Sequence, residues 1–188
     1  MVFNRALPVL ASLPAIVGVC SEPSIASDIS RPFLQERVAT LAPFAHVRFC
    51  LSNPDQCVKG NGASVILMTP EIEQQIETVN SYVNQEIRPE RDTSAEEDWR
   101  IDVSAGDCND YAVTKRKDLI DRGFPIPALR LAVAMTPQGI GHTVLVVRTT
   151  KGDLVLDNRT ADIKTWSQTG LRWLKIESAT DPHLWFAL

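Results

Sequence analysis

Nothing in this sequence carries the basic excess that nucleic-acid binding draws on. Lys and Arg number 19 against 23 Asp and Glu, a formal net charge of −4. Without a basic footprint, nucleic acid is not an expected partner. Internal repeats and low-complexity tracts are also missing, which sets aside solenoid and linker-like architectures. A membrane-length apolar run is lacking too. The stretch from Ala6 to Val19 is too short for a comfortable span, and Pro8 and Pro14 interrupt it. Cysteines number only four in 188 residues, so the chain must rely on a hydrophobic core, for which it is long enough. Its 44% apolar and 22% charged content is that of an ordinary soluble domain.

What is present begins with the N-terminus. "MVFNRALPVLASLPAIVGVCSEPSIAS" has one early cation, Arg5, then the apolar run, then Ser24 and Ala26 as the small-x-small pattern a signal peptidase reads. Residues 1–26 are expected to be a signal peptide and residues 27–188 the exported domain; the competing reading is an apolar N-terminal helix of the fold. A lipoprotein anchor at Cys20 is less fitting, because Val19 precedes it rather than a small residue. The expected compartment is the periplasm, where disulfides persist. Cys50 and Cys57 bracket "LSNPDQ", whose Asn53-Pro54-Asp55 favours a turn that could bring the sulfurs together. A disulfide is the expectation, with two buried free thiols as the alternative. Cys108 is then the odd thiol of the exported domain.

The organisation reads as helices first and strands after. Residues 27–68 show little periodicity and are expected to be irregular with short helical turns. Thr69 as N-cap, Pro70, and Glu71 and Glu73 in the first turn predict a helix. Its apolar stripe is Ile72, Ile76, Val79, Val83 and Ile87, ended by Arg88-Pro89. A second helix is predicted from Cys108 to Arg122, stopped by Gly123. Ala112, Leu119 and Ile120 form its modest buried face, and Lys115, Arg116, Lys117 and Asp118 a mostly solvated one. "ALRLAVAMT", "HTVLVVRTT", "DLVLDN" and "LRWLKIES" then read as strands of an antiparallel sheet, an α+β arrangement.

Cys108 sits where a helix begins, a position whose free amides and dipole favour a thiolate. His142 opens one strand and Asp157 closes the next, so hairpin pairing sets them side by side. Together they have the makings of nucleophile, base and orienting acid in a thiol catalyst. The Cys108 amide, Trp99 and Asn109 are the candidate oxyanion donors.

The segment "GDCNDYAVTKRKDLIDRGFPIPALRLAVAMT…GHTVLVVRTTKGDLVLDN", with "FCLSNPDQC" before it and "TGLRWLKIES…DPHLW" after it, resembles the bacterial transglutaminase-like cysteine proteinases. That family includes the LapG-type periplasmic proteases, which clip large biofilm adhesins. The resemblance implies a papain-like α+β fold with a transglutaminase-type core and a Cys108, His142, Asp157 triad. It implies a protein or peptide substrate, a large adhesin in particular, and an inner-membrane cyclic-dinucleotide receptor as regulator. No cofactor is required for the chemistry, but proteolytic members bind calcium through acidic residues flanking the nucleophile. Asp107 matches one such position. Asn109 departs from the Glu common at the other, leaving Asp110, Glu96, Glu97 and Asp98 as substitutes. Two other functions fit the same residues: an acyl-transferring transglutaminase or deamidase, and a non-catalytic periplasmic binding domain.

Overall fold

Thr69 starts the longest helix as its side chain predicts. The hydroxyl accepts a hydrogen bond from the Ile72 amide at 3.3 Å, and Pro70 occupies the first turn of a helix spanning Pro70–Glu86. This helix, α2, buries Ile76, Val79 and Val83 on one face, with Ile87 beyond its end. The computed structural model describes residues 1–2, 32–91 and 97–188. Apart from Met1 and Val2, the expected signal peptide lies outside the described residues, as do its end at Ala26, Cys20 and Glu96. Among the described residues no helix is long and apolar enough to cross a membrane.

The four expected strands form the centre of a seven-stranded antiparallel sheet. They are β4 (Leu129–Met135), β5 (Gly141–Thr149), β6 (Gly152–Leu156) and β8 (Arg172–Glu177). Short strands β1 (Ala39–Thr40), β7 (Lys164–Thr165) and β9 (Trp185–Ala187) complete the order β1-β9-β8-β4-β5-β6-β7. A separate parallel pair joins β2 (Arg88–Pro89) to β3 (Ala105–Gly106) just before the second predicted helix. Along β4 and β5, Leu129, Leu131, Leu145 and Val147 pack toward the helices, while Ala132, Ala134, Val144 and Val146 pack on the opposite face. That second face is covered by Leu34, Leu171 and partly buried Trp166 and Trp173. With both faces covered, the strands read as near-continuous apolar runs.

Two expectations require correction. Within 27–68, of which residues 32–68 are described, the 3₁₀ turn at Pro54–Cys57 is one of the short helical turns expected, but a full nine-residue helix, α1 (Phe44–Ser52), precedes it. Phe44 and Leu51 on α1 face solvent while Ala45, His46, Phe49 and Cys50 are buried, so the apolar pattern does not resolve into one stripe. Cys50 and Cys57 are joined by a disulfide, their Cα atoms 5.5 Å apart.

The second correction concerns α3 (Cys108–Asp121). Its charged run is not a solvated face: Lys115 and Arg116 are fully buried, because α3 lies between α2 and the sheet. Arg116 is satisfied there, donating to the Leu129 and Gln56 carbonyls at 3.2 and 2.6 Å. Lys115 Nζ has no hydrogen-bond partner among the described residues; the centroid of the Tyr111 ring lies 6.0 Å from it. Burial pulls its pKa down to about 7, against the opposing pull of the Asp157 charge. In the unfolded chain the ammonium titrates near pH ~10.4. Between those two values the unfolded chain binds more protons, so the Lys115 contribution to stability improves as pH rises through that window. Replacing the ammonium with an isosteric apolar chain removes the penalty. Lys115→Met is therefore expected to stabilise the domain by roughly 2–4 kcal/mol at pH ~6, with the gain fading above pH ~10. Denaturant unfolding of both proteins across that range checks it; an equal gain at both ends of the range would contradict the assignment.

Candidate active site

The candidate nucleophile is held by the local chemistry of the α3 start. Asp107 is the N-cap, its Oδ1 accepting from the Asn109 amide at 2.9 Å, and Asp110 completes a capping box by accepting from the Asp107 amide at 3.2 Å. Asp110 is fully buried and also accepts from the Arg100 amide at 2.8 Å and the Arg100 guanidinium at 3.1 Å. A backbone without a side chain is needed beside it: a Cβ on Gly106 would stand 2.1 Å from Asp110 Oδ2. The segment before α3 is thus packed onto its first turn, and Cys108, half-buried, begins the helix.

The sheet supplies the other two residues. Pairing of Leu145 with Leu156, continued one step, sets Asp157 opposite Val144 and two positions from His142 on the same face. Ala134, small and fully buried, lies opposite His142 on β4 and leaves room for the ring. His142 Nε2 lies 2.9 Å from Asp157 Oδ1, both side chains being buried. Asp157 is gripped from its other side by Arg159, whose Nη2 donates to Oδ2 at 2.7 Å and whose amide donates to Oδ1 at 2.9 Å. Burial by itself would raise the Asp157 pKa. The hydrogen bonds from His142 and Arg159 outweigh it and hold the carboxyl well below the usual carboxylate range, so it is ionised at neutral pH. Asn84 of α2 adds a clamp, its Nδ2 donating to the Asp157 and Thr160 carbonyls, each at 3.2 Å.

Cys108 and His142 line one surface cleft of about 770 Å³, together with Glu97, Asp107, Ile140 and Arg159. The Thr143 amide donates to Cys108 Sγ at 3.5 Å, tying the sulfur to the residue beside His142; no hydrogen bond joins the sulfur to the ring itself. The helix start favours a thiolate, but it is not the largest influence on the sulfur. Burial pushes the Cys108 thiol up to about 11, and the Asp107 and Glu97 carboxylates add to the rise, against the Thr143 amide. The resting sulfur is protonated at neutral pH and needs a base.

The structure therefore brings Cys108, His142, Asp157 and Asp107 to one place. Asn109 is buried beside them, its Nδ2 3.4 Å from Asp107 Oδ2. Trp99 is elsewhere: its ring packs edge-on to His46 at 5.4 Å and does not line the cleft. As an oxyanion donor it is set aside. Arg159, Asn84 and the Thr143 amide were missed from sequence. Arg159, two residues beyond Asp157 with the reach to turn back on it, had a local signal; Asn84 and Thr143 had none.

Calcium, which the family resemblance implies, asks for several hard oxygen donors. Asp107 and Glu97 offer carboxylates on the cleft wall, and both act on the Cys108 thiol. Asp110 is committed to Arg100 and the Asp107 amide. The donor chemistry fits the ion, but the charge is that of a weak site.

The family model described as bacterial transglutaminase-like cysteine proteinase (BTLCP) matches residues 36–188. Among solved structures, the chain is similar to calcium-bound LapG of Legionella pneumophila. Identity is 29%, the match covers 62% of this chain and 69% of that one, and the TM-score is 0.55. The EGTA-treated form of the same protein is similar at 28% identity, covering 62% and 68% of the two chains, with a TM-score of 0.52. No curated protein matches.

Proposed function

The chain belongs to the bacterial transglutaminase-like cysteine proteinases and is a cysteine protease with a transglutaminase-like fold. From that premise we propose that it is an exported endopeptidase acting through Cys108, His142 and Asp157. The observation that carries this is the 2.9 Å contact between His142 Nε2 and Asp157 Oδ1 beside a cysteine that opens a helix in the same cleft. With Nε2 donating to Asp157, Nδ1 is the unprotonated nitrogen and the base. As Cys108 Sγ attacks the peptide carbonyl, its proton passes to His142 Nδ1. The imidazolium returns a proton to the departing amine, leaving a thioacyl-enzyme. Water, deprotonated by the same nitrogen, releases the acid and restores the thiol. Asp157 orients the ring and stabilises its cation throughout. The Cys108 amide is the remaining backbone candidate for the oxyanion.

A high resting thiol pKa makes this a general-base mechanism, in which deprotonation accompanies attack. The substrate class is an exported protein, and family likeness favours a large surface adhesin in the periplasm under the control of an inner-membrane receptor. Incubating the purified protein with the N-terminal region of a candidate adhesin tests this. A single new N-terminus by mass spectrometry is expected, and an intact adhesin would overturn the substrate assignment.

Calcium follows from the same wall. One of the similar solved structures is calcium-bound LapG, and Asp107 and Glu97 are the residues that would hold the ion here. Its charge would offset their field on Cys108 and favour the thiolate. With Asn109 in place of a second flanking carboxylate, native affinity is expected to be no tighter than about 10⁻⁴ M. Asn109→Glu should tighten it tenfold or more, and Asp107→Ala should abolish it. Calorimetric titration reads all three; tight native binding that survives Asp107→Ala would contradict the site.

A further inference from the structure

A second cluster of ligating side chains lies away from the cleft. His46 and Cys50 are one helical turn apart on α1, and Cys57 ends the following 3₁₀ turn. Their ligand atoms all lie within 4.8 Å of one another, and all three residues are buried. Cys50 Sγ is 3.6 Å from His46 Nε2, and the same nitrogen is 3.6 Å from Glu177 Oε1. Glu177 is an acid that the catalytic proposal does not use. Its Oε2 accepts from the Leu131 amide at 3.1 Å, whereas its Oε1 is buried and makes no hydrogen bond among the described residues. None of the four residues lines the Cys108 cleft.

We propose that, once its disulfide is reduced, this cluster is a tetrahedral zinc site formed by Cys50, Cys57, His46 Nε2 and Glu177 Oε1. Bridge and ion are alternative staples for the same piece of core. Zinc–sulfur and zinc–nitrogen bonds of about 2.3 and 2.0 Å span a tetrahedral edge of about 3.5 Å. The present 3.6 Å separation of Cys50 Sγ and His46 Nε2 matches that edge. The two sulfurs must part to about 3.8 Å, as two ligands of one zinc ion do.

The charges also balance. A dication with two thiolates and one carboxylate carries one net negative charge, and the buried Arg116 guanidinium lies 3.5 Å from Glu177 Oε1 to offset it. Trp99 and Trp185 stand edge-on to the His46 ring at 5.4 and 5.1 Å, fixing its plane and excluding water. The redox step consumes a dithiol. Its two electrons and two protons convert the bridge to two thiols while it becomes a disulfide. Zinc then displaces both thiol protons to solvent.

The test uses the full chain carrying Cys20→Ser and Cys108→Ser, so that only the two cluster thiols remain. Treated with a phosphine reductant without oxygen and titrated with Co²⁺ as the probe, it is expected to bind one equivalent. The spectrum should show sulfur-to-cobalt charge transfer and the strong visible bands of four-coordination, both lost on adding zinc. The oxidised protein should bind none. His46→Ala, which leaves the bridge intact, should weaken binding by the reduced form at least tenfold, as should Glu177→Gln. Near-ultraviolet circular dichroism from the surrounding tryptophans shows whether the reduced chain keeps or regains its packing with metal. No cobalt spectrum, binding indifferent to His46→Ala, or a reduced chain that stays unpacked with metal would each overturn the proposal.

Discussion

Cys108→Ala is expected to lower peptidase turnover by at least ~10⁴-fold, and Cys108→Ser by a similar factor, because neither keeps a sulfur for His142 to activate. Cys108 is half-buried and contributes little apolar packing, so both variants should fold like the parent. His142→Ala should be as damaging, since it removes the base. Asp157→Asn should cost somewhat less, about 10²–10³-fold, because the ring stays in place but loses the negative charge that stabilises its cation and the acceptor-only partner that fixes Nε2 as the protonated nitrogen. The thiol itself gives an independent reading. In His142→Ala, alkylation of Cys108 should rise toward pH ~11, following the thiol that burial and the neighbouring carboxylates hold protonated. Asp107→Asn should move that rise to lower pH. Turnover by purified Cys108→Ala above a hundredth of the parent rate would end the catalytic assignment.

Asp110→Ala is expected to destabilise the domain by about 3 kcal/mol, which for a chain of this size lowers Tm by roughly 10 °C. The side chain is fully buried and accepts from the Asp107 amide, the Arg100 amide and the Arg100 guanidinium, so truncation takes the acceptor from three part-buried hydrogen bonds at the start of α3. Gly106→Ala should have a comparable effect for a steric reason. Its Cβ would meet Asp110 Oδ2 at 2.1 Å and Asp110 Cβ at 2.7 Å, distances that only a displacement of the first turn relieves. Both changes should also depress activity in the folded fraction, because the turn they disturb carries Cys108. Thermal and denaturant unfolding decide the first point and single-turnover kinetics the second. A wild-type Tm for Asp110→Ala would show that water replaces the carboxylate without cost and that the capping box is dispensable.

Much of this architecture is local chemistry, and local chemistry is readable along the chain. Thr69, Pro70 and a spacing of three and four apolar residues dictate α2; Asp107 and Gly123 bound α3, the latter at a φ of +86°. Alternating and continuous apolar runs predict β4, β5, β6 and β8. Pairing of adjacent strands brings His142 and Asp157 together, because a hairpin sets the start of one strand beside the end of the next.

The remainder depended on what packs against what. Helix α1 has its apolar residues split between core and solvent, so its face was set by the sheet and Trp99 rather than by its own periodicity. Lys115 and Arg116 read as solvated because charges normally are; they are buried because α2 and the sheet enclose α3 on both sides, which no nearby residue announces. Asn84 reaches the Asp157 loop across 73 positions, and the Thr143 amide reaches Cys108 across 35. The height of the Cys108 thiol pKa likewise comes first from burial. Residues within a turn or a hairpin interact at fixed spacing, so their type and order determine helices, strands and the His142–Asp157 pair. Desolvation and long-range hydrogen bonds depend on surfaces assembled from distant segments, and only the folded chain decides them.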